Sequence, residues 1–268
     1  MPELPEVETT RRGILPYSEG KVLREIIIRD SRLRWPVSQE LVDWQADQVR
    51  SLDRRGKYII MGFDAGSILI HLGMSGSLRV VQHSEPVQKH DHLDFVFEQS
   101  RLRFNDPRRF GSILWTGEWR NHALISHLGP EPLSEAFDTA YLYQASRNRS
   151  VAVKQFVMDS KTVVGVGNIY ANEALYLSGI HPNRPANKVS KVRYERLVMN
   201  IKQVLTSAIT QGGTTLRDFV GGDGKPGYFQ QKLFVYGRHG EPCKGCGAAL
   251  KELRLSGRST VYCGVCQK

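Results

Sequence analysis

Four cysteines crowd the end of the chain: Cys243, Cys246, Cys263 and Cys266. They make two Cys-x2-Cys knuckles separated by sixteen residues. Thiolates at that spacing surround one Zn2+ tetrahedrally at about 2.3 Å and close its coordination sphere. Such an ion is structural, because a catalytic zinc keeps a position open for water or substrate. Gly245 and Gly264 lie inside the knuckles, where tight turns ask for unusual backbone angles. The residues from Leu250 to Tyr262 alternate enough for a β-hairpin, which carries Lys251, Arg254 and Arg258. A tail this short has no core of its own, so the metal supplies its stability. An arginine on a metal-stiffened hairpin suits a phosphate clamp or a groove probe. For Lys251 and Arg254 the plainer reading, a solvated charge, is preferred.

The remaining charge is unevenly placed. The chain of 268 residues has 37 Lys and Arg against 27 Asp and Glu. Residues 1–134 hold 18 of each sign, whereas residues 135–268 hold 19 basic and 9 acidic. A polyanion partner accounts for this, since cations near phosphates release condensed counterions. A merely soluble basic surface accounts for it equally. Lys154 and Lys161 belong to this basic field. The run from Val164 to Glu173 contains a Gly165-x-Gly167 turn opening a helix. Turn N–H groups at a helix start bind phosphate. The lack of a preceding strand and a full glycine pattern excludes a dinucleotide fingerprint.

These residues need elements to hold them. Residues 2–13 read as a short helix with Pro5 in its first turn. From about residue 22 to 117 the apolar pattern has period two, as in 22–28, 58–61, 67–72, 93–97 and 102–104. Many close strands predict an antiparallel sandwich. The Gly/Pro-bearing segment 129–134 reads as a linker. Helical spacing follows over 151–158, over 167–178 closed by Gly179, and from Ser190 to Gly212-Gly213. In the last helix Val192, Leu197, Val198, Ile201, Val204, Leu205, Ala208 and Ile209 form one apolar face. Residues 221–229, with many glycines, read as a mobile loop. The fold class is α+β, with domains at 1–128, 135–232 and 233–268. No apolar run reaches about 18 residues, so no transmembrane helix is expected. The acidic start lacks a secretory pattern, which predicts a cytoplasmic protein.

Three motifs carry a family resemblance. They are Pro2-Glu3-Leu4-Pro5-Glu6-Val7-Glu8-Thr9, Val164-Gly165-Val166-Gly167-Asn168-Ile169-Tyr170-Ala171-Asn172-Glu173, and Gly257-Arg258-Ser259-Thr260-Val261-Tyr262-Cys263. Together they make the chain, over its whole length, resemble bacterial formamidopyrimidine-DNA glycosylases. The resemblance implies an N-terminal β-sandwich with flanking helices, a helix-two-turn-helix domain and a zinc β-hairpin. It implies a base-excision-repair enzyme that removes oxidised purines, 8-oxoguanine and formamidopyrimidines, from damaged double-stranded DNA and nicks the strand by β,δ-elimination.

The same resemblance assigns roles. Pro2, freed of Met1, is the nucleophile: an α-amine has a pKa near about 7.7–8, so a useful fraction is unprotonated. Its secondary amine gives a cationic iminium with the sugar aldehyde. Glu3 handles protons during ring opening, supported by Glu6 one turn away, while Glu8 merely complements the helix start. Lys57 contacts phosphate next to the lesion, and Arg258 serves the final elimination. His90, Arg108, Arg149 and Asn168 contact DNA, and His71 is a weaker assignment. Met74, Arg108 and Phe110 fill the hole left by the flipped nucleotide. The enzyme is expected to act as a monomer at the bacterial nucleoid.

Two other functions share much of this pattern. A non-catalytic zinc protein binding nucleic acid would have the basic half and the knuckles but no need of Pro2, Glu3 and Lys57. The sister glycosylase for oxidised pyrimidines shares the proline, the glutamate and the hairpin. Leu4 and the Met74, Arg108, Phe110 set favour the purine enzyme. A zinc hydrolase fails for want of an open ligand position.

Overall fold

The structure, a computed structural model, describes residues 2–213 and 233–268. The predicted loop over 221–229 lies outside the described residues. The chain divides into two compact units, Met1–Ser126 with Ile209–Gln230, and His127–Ala208 with Gln231–Lys268.

In the first unit, helix α1 (Leu4–Ser18) precedes ten strands. Strands β4 (Ser51–Arg55), β5 (Tyr58–Gly62), β6 (Ser67–His71) and β10 (Ser112–Thr116) form one sheet, in the order β10-β6-β5-β4. Strands β2 (Glu25–Ile28), β7 (Ser77–Val81), β8 (Asp91–Val96) and β9 (Arg101–Asn105) form the other, in the order β2-β8-β9-β7. Every pairing in both is antiparallel. Short β1 (Val22–Leu23) and β3 (Asp47–Gln48) pair separately. Ile59, Met61, Ile68 and Ile70 from one sheet share a core with Leu78, Leu93, Phe95 and Phe104 from the other. The period-two pattern thus builds the sandwich it predicts.

Helix α1 packs against β4, β5 and β7. It runs to Ser18, beyond the predicted end at residue 13, with Pro16 inside it. Ile14 and Ser18 are buried there. Ser18 donates its hydroxyl to the Ile14 carbonyl at 2.9 Å. Burial of that extra turn outweighs the hydrogen bond lost at Pro16.

The second unit holds α2 (Thr139–Ser146), α3 (Val153–Met158), α4 (Asn168–Leu177), most of α5 (Lys191–Thr210) and the hairpin β11 (Lys251–Leu255) and β12 (Arg258–Tyr262). Asp138 caps α2 by accepting from the Tyr141 N–H at 2.7 Å. Segment 129–134 is stitched into this unit: the Gly129 N–H donates to Ser160, and the Val164 N–H to Pro130. A Cβ on Gly129 would lie 2.6 Å from the Lys161 carbonyl oxygen, so glycine is required. On α5 the predicted apolar face is buried from Leu197 to Ala208. Val192 departs from it and is 60% exposed, while Tyr194 in the same first turn is fully buried. No described helix is long and apolar enough to cross a membrane.

Candidate functional site

The four cysteine sulfurs lie within 4.8 Å of one another. Cys243 and Cys266 are 3.9 Å apart, and Cys246 and Cys263 3.5 Å. A tetrahedral zinc with about 2.3 Å bonds demands sulfur separations of about 3.8 Å, so the residues fit the ion. Burial opposes ionisation of the Cys243 thiol. The Tyr176 hydroxyl and the N–H groups of Gly245 and Cys246 outweigh it and bring the thiol down to about 6. Donors are therefore in place for a thiolate before any metal charge is considered. The knuckle glycines act differently from the expectation. Gly247, not Gly245 or Gly264, has the left-handed backbone. Gly245 is needed for space, since a Cβ there would sit 2.9 Å from the Tyr176 hydroxyl.

The hairpin turns through Ser256 and Gly257, both at positive φ, as in a type I′ turn. Arg258 follows at once and is exposed. Three side chains pin the strand behind it, Lys154 and Asn172 buried and Asn168 half-buried. Lys154 donates its Nζ to the Ser259 carbonyl at 3.0 Å and the Thr260 hydroxyl at 2.7 Å. Asn168 donates its Nδ2 to the same carbonyl at 3.1 Å, and Asn172 accepts from the Val261 N–H at 3.1 Å. Lys154 is thus a buried strut and not part of a solvated basic field, the role predicted for it. Asn168 is the first residue of α4, as the turn-helix reading requires. Glu173, deeper in α4, accepts from the N–H groups of Phe234, Val235 and Tyr236. Burial pushes its carboxyl up, and those three donors pull the other way. Beside Arg258 a cleft of about 200 Å3 is walled by Lys154, Gln155, Met158 and Asp159. Arg149 is held at 3.1 Å by Asp159.

In the first unit, Pro2 and Glu3 are buried at the start of α1. The Glu6 carboxylate accepts from the Glu3 N–H at 2.8 Å, half of a capping box that fixes where the chain enters the helix. Gly213, at φ +81, would bring a Cβ within 3.2 Å of Glu6 Oε1. Glu8 does more than complement the helix dipole. Its carboxylate is bound by Arg11, Arg12 and Arg54 at 2.8–3.1 Å. Burial opposes ionisation, but the bonds from Arg11 and Arg12 and the nearby charges lower its pKa to about 2. Through Arg54 it ties α1 to β4, the strand that leads into the Gly56-Lys57 turn. Gly56, at φ +58, opens that turn, and Arg54 donates to its carbonyl at 2.9 Å.

On β6, His71 lies against the Tyr58 ring at 4.8 Å. Its Nδ1 accepts from the Gly73 N–H at 3.0 Å, which leaves the proton on Nε2. Burial first, then the charges of Lys57 and Arg34, hold its pKa down to about 4. It is a neutral hydrogen-bond donor at pH 7.

Two loops meet beyond it. Met74 and Phe110 are 38% and 43% exposed, unusual for large apolar side chains. The Arg108 guanidinium stacks 5.0 Å over the Phe110 ring. Asp106, fully buried, joins the loops by accepting from the Ser75 hydroxyl at 2.8 Å and the Gly111 N–H at 2.7 Å. A Cβ on Gly73 would lie 2.4 Å from the Gly111 nitrogen, so only glycine permits this approach. His90, at φ +72, precedes the bulge in β8, and its carbonyl accepts from the Asp106 N–H at 3.1 Å.

Comparison with known proteins places this arrangement. Sequence models of three domains match: the Formamidopyrimidine-DNA glycosylase N-terminal domain at residues 1–113, the H2TH domain of the same proteins at 128–220, and the zinc finger found in FPG and IleRS at 240–268. Formamidopyrimidine-DNA glycosylases of Stutzerimonas stutzeri and Pseudomonas aeruginosa are each 55% identical over the full length of both chains. The chain belongs to the formamidopyrimidine-DNA glycosylase family. Its fold matches the Fpg (MutM) protein of Thermus thermophilus with TM-score 0.90 and 37% identity, over 99% of this chain and 98% of that one. It also matches a point mutant of Lactococcus lactis Fpg in complex with Fapy-dG-containing DNA, with TM-score 0.93 and 32% identity over all of both chains. Another Lactococcus lactis complex holds DNA with an oxidised pyrimidine, at TM-score 0.91 and 32% identity over both whole chains. The family's α+β fold, helix-two-turn-helix region and zinc finger are thus those of this chain.

Within each unit the predicted residues fall into groups. Pro2, Glu3, Lys57, His71, Met74, His90, Arg108 and Phe110 lie in the first, and Arg149, Asn168, Arg258 and the four cysteines in the second. Asp106, Asn172 and the buried part of Lys154 were missed as supports. For Asp106 a signal existed, since Asp-Pro marks a turn. A lysine's type gives no sign that it will be buried.

Proposed function

We propose that the protein is a bifunctional DNA glycosylase and AP lyase of base excision repair. Its substrate is an oxidised purine, 8-oxoguanine or a formamidopyrimidine, in duplex DNA. The observation that carries this reading is the start of α1, where Pro2 and Glu3 are buried side by side and the Glu6 carboxylate fixes the backbone between them.

Once Met1 is removed, the Pro2 nitrogen attacks C1′ of the damaged nucleotide. The C1′–N bond to the base breaks, and the base leaves with a proton. Glu3 supplies and withdraws protons as the sugar ring opens to an iminium. Loss of a C2′ proton expels the 3′ oxygen, and a second elimination expels the 5′ oxygen, leaving a one-nucleotide gap. Lys57 and Arg258 hold the flanking phosphates, with Arg258 serving the last elimination. His90, Arg149 and Asn168 hold the DNA backbone, and neutral His71 donates to it. Met74, Arg108 and Phe110 occupy the space the nucleotide vacates. Their exposure, next to a rigid Asp106 anchor, supports this assignment. The zinc is structural and stiffens the hairpin under Arg258. Residues 1–128, 135–232 and 233–268 serve as sandwich, helical and zinc domains, with 129–134 joining the first two. The protein works as a single chain in the cytoplasm and associates with the nucleoid when on DNA.

Oxidised pyrimidines are a second substrate class, favoured by the Lactococcus lactis complex with such DNA. Duplexes with one 8-oxoguanine or one oxidised pyrimidine, incubated with the holoprotein, test the choice. Faster nicking at 8-oxoguanine is expected. Faster nicking at the pyrimidine would overturn the purine assignment.

A further inference from the structure

Arg108 and Arg109 are neighbours with different surroundings. Arg108 has no carboxylate partner among the described residues, and its guanidinium lies on the Phe110 ring. Arg109 turns the other way. Its Nη2 meets Asp30 Oδ2 at 2.6 Å, and its Nη1 donates to the Arg32 carbonyl at 3.3 Å. The Arg34 N–H donates to the Gly111 carbonyl at 3.0 Å. Residues 30–34 therefore grip the loop on both sides of Phe110. The grip is itself braced, since Asp30 also accepts from the Arg32 N–H, Nε and Nη2 at 2.9–3.0 Å.

Arg109 also sits at φ +57, a region non-glycine residues seldom occupy. That conformation reverses the chain so that consecutive arginines point apart. It persists only where neighbours over-determine it. An ion pair in contact with solvent adds little to global stability, and this half-exposed one acts chiefly through geometry.

We propose that Arg109, latched by Asp30, is a positioning residue that aims Arg108 at the base opposite the lesion and thereby sets opposite-base discrimination. The inference rests on the proposed placement of Arg108 in the space the nucleotide vacates, where its guanidinium would meet the base opposite the lesion. Asp106 fastens the loop from beneath; the Asp30 latch fixes its outer turn, where Arg108 departs. With the latch open, the Arg109 backbone relaxes and Arg108 samples more than one direction. A bidentate contact loses discrimination when its geometry spreads.

The test measures nicking of duplexes carrying 8-oxoguanine opposite cytosine or opposite adenine, with the zinc-loaded full chain. The readout is the ratio of the two rates, with the thermal midpoint recorded beside it. Arg109→Gln and Asp30→Asn are expected to cut the ratio about fivefold. Arg109→Lys, whose ammonium can reach the same carboxylate, should keep it within about twofold of the parent. Arg108→Ala should lose the ratio too, and Arg109→Gln added to it should change nothing more. If Arg108→Ala loses discrimination while Arg109→Gln retains it, the latch is idle and the proposal fails. Equal slowing on both duplexes with a lowered midpoint means a purely structural pair, which also overturns it. If Arg108→Ala itself leaves the ratio unchanged, the reader assignment beneath the proposal is what fails.

Discussion

Glu8 and His71 both have pKa values well below those of the free side chains, for opposite reasons. Glu8 keeps its charge because three guanidiniums surround it, and its pKa falls from 4.5 to about 2. The unfolded chain therefore binds more protons than the folded one between those values. The stabilisation is complete above about 4.5 and is lost as pH falls through about 2. Glu8→Gln should lower stability at neutral pH and flatten its pH dependence in that window, as denaturant melts at several pH values would reveal. An unchanged acid limb would mean that the pairs contribute nothing. His71 instead loses its charge by burial, with a pKa down to about 4. Here folding favours the neutral ring, so stability falls as pH drops below 6.5 and levels off below about 4. An NMR titration should find the His71 ring neutral at pH 6. A midpoint near 6.5 would contradict the burial described for it.

At the scale of elements, the hairpin β11–β12 draws on two supports. One is the four-thiolate site, and the other is the set of hydrogen bonds from α3 and α4 to residues 259–261. A module with so small a core depends on its metal. Chelation of zinc, or Cys243→Ser, should weaken DNA binding before the β-sandwich unfolds. Near-UV circular dichroism and a binding titration on one sample would check the order of events. Metal-free protein with full DNA affinity would rule out a structural zinc. This module was also the most legible part of the sequence, because metal geometry fixes cysteine spacing directly. The sandwich was legible where apolar residues alternate, as in β8 and β9, and where they run together, as in β5 and β6, which are buried on both faces. It was hidden in β4, Ser51-Leu52-Asp53-Arg54-Arg55, where Leu52 alone is fully buried and Arg54 reaches Glu8 on α1. The end of α1 was misread because Gly13 and Pro16 look like stops, and the burial of Ile14 is a tertiary fact. The role of Lys154 was misread for the same kind of reason. Its partners are more than a hundred residues away, at Ser259 and Thr260. The roles of Pro2, Glu3, Lys57 and Arg258 came from family resemblance and not from spacing.

For the whole molecule, the excess positive charge lies entirely after residue 134. Binding through phosphates should therefore weaken steeply between about 50 and 200 mM salt, as counterions compete. Arg258→Ala should reduce the salt slope by about one and slow strand cleavage as well. A flat salt profile would exclude a phosphate-tracking surface. Fold, zinc and charge only present the DNA; in the mechanism proposed here the chemistry rests on the amine of Pro2. The most direct measurement is borohydride trapping during turnover on 8-oxoguanine duplex, followed by peptide mapping. Reduction of the iminium should fix the DNA to the protein through residue 2, and an uncleaved N-terminal tag should abolish both cross-link and nicking. A cross-link at Lys57, or full nicking by the tagged protein, would contradict the proline mechanism.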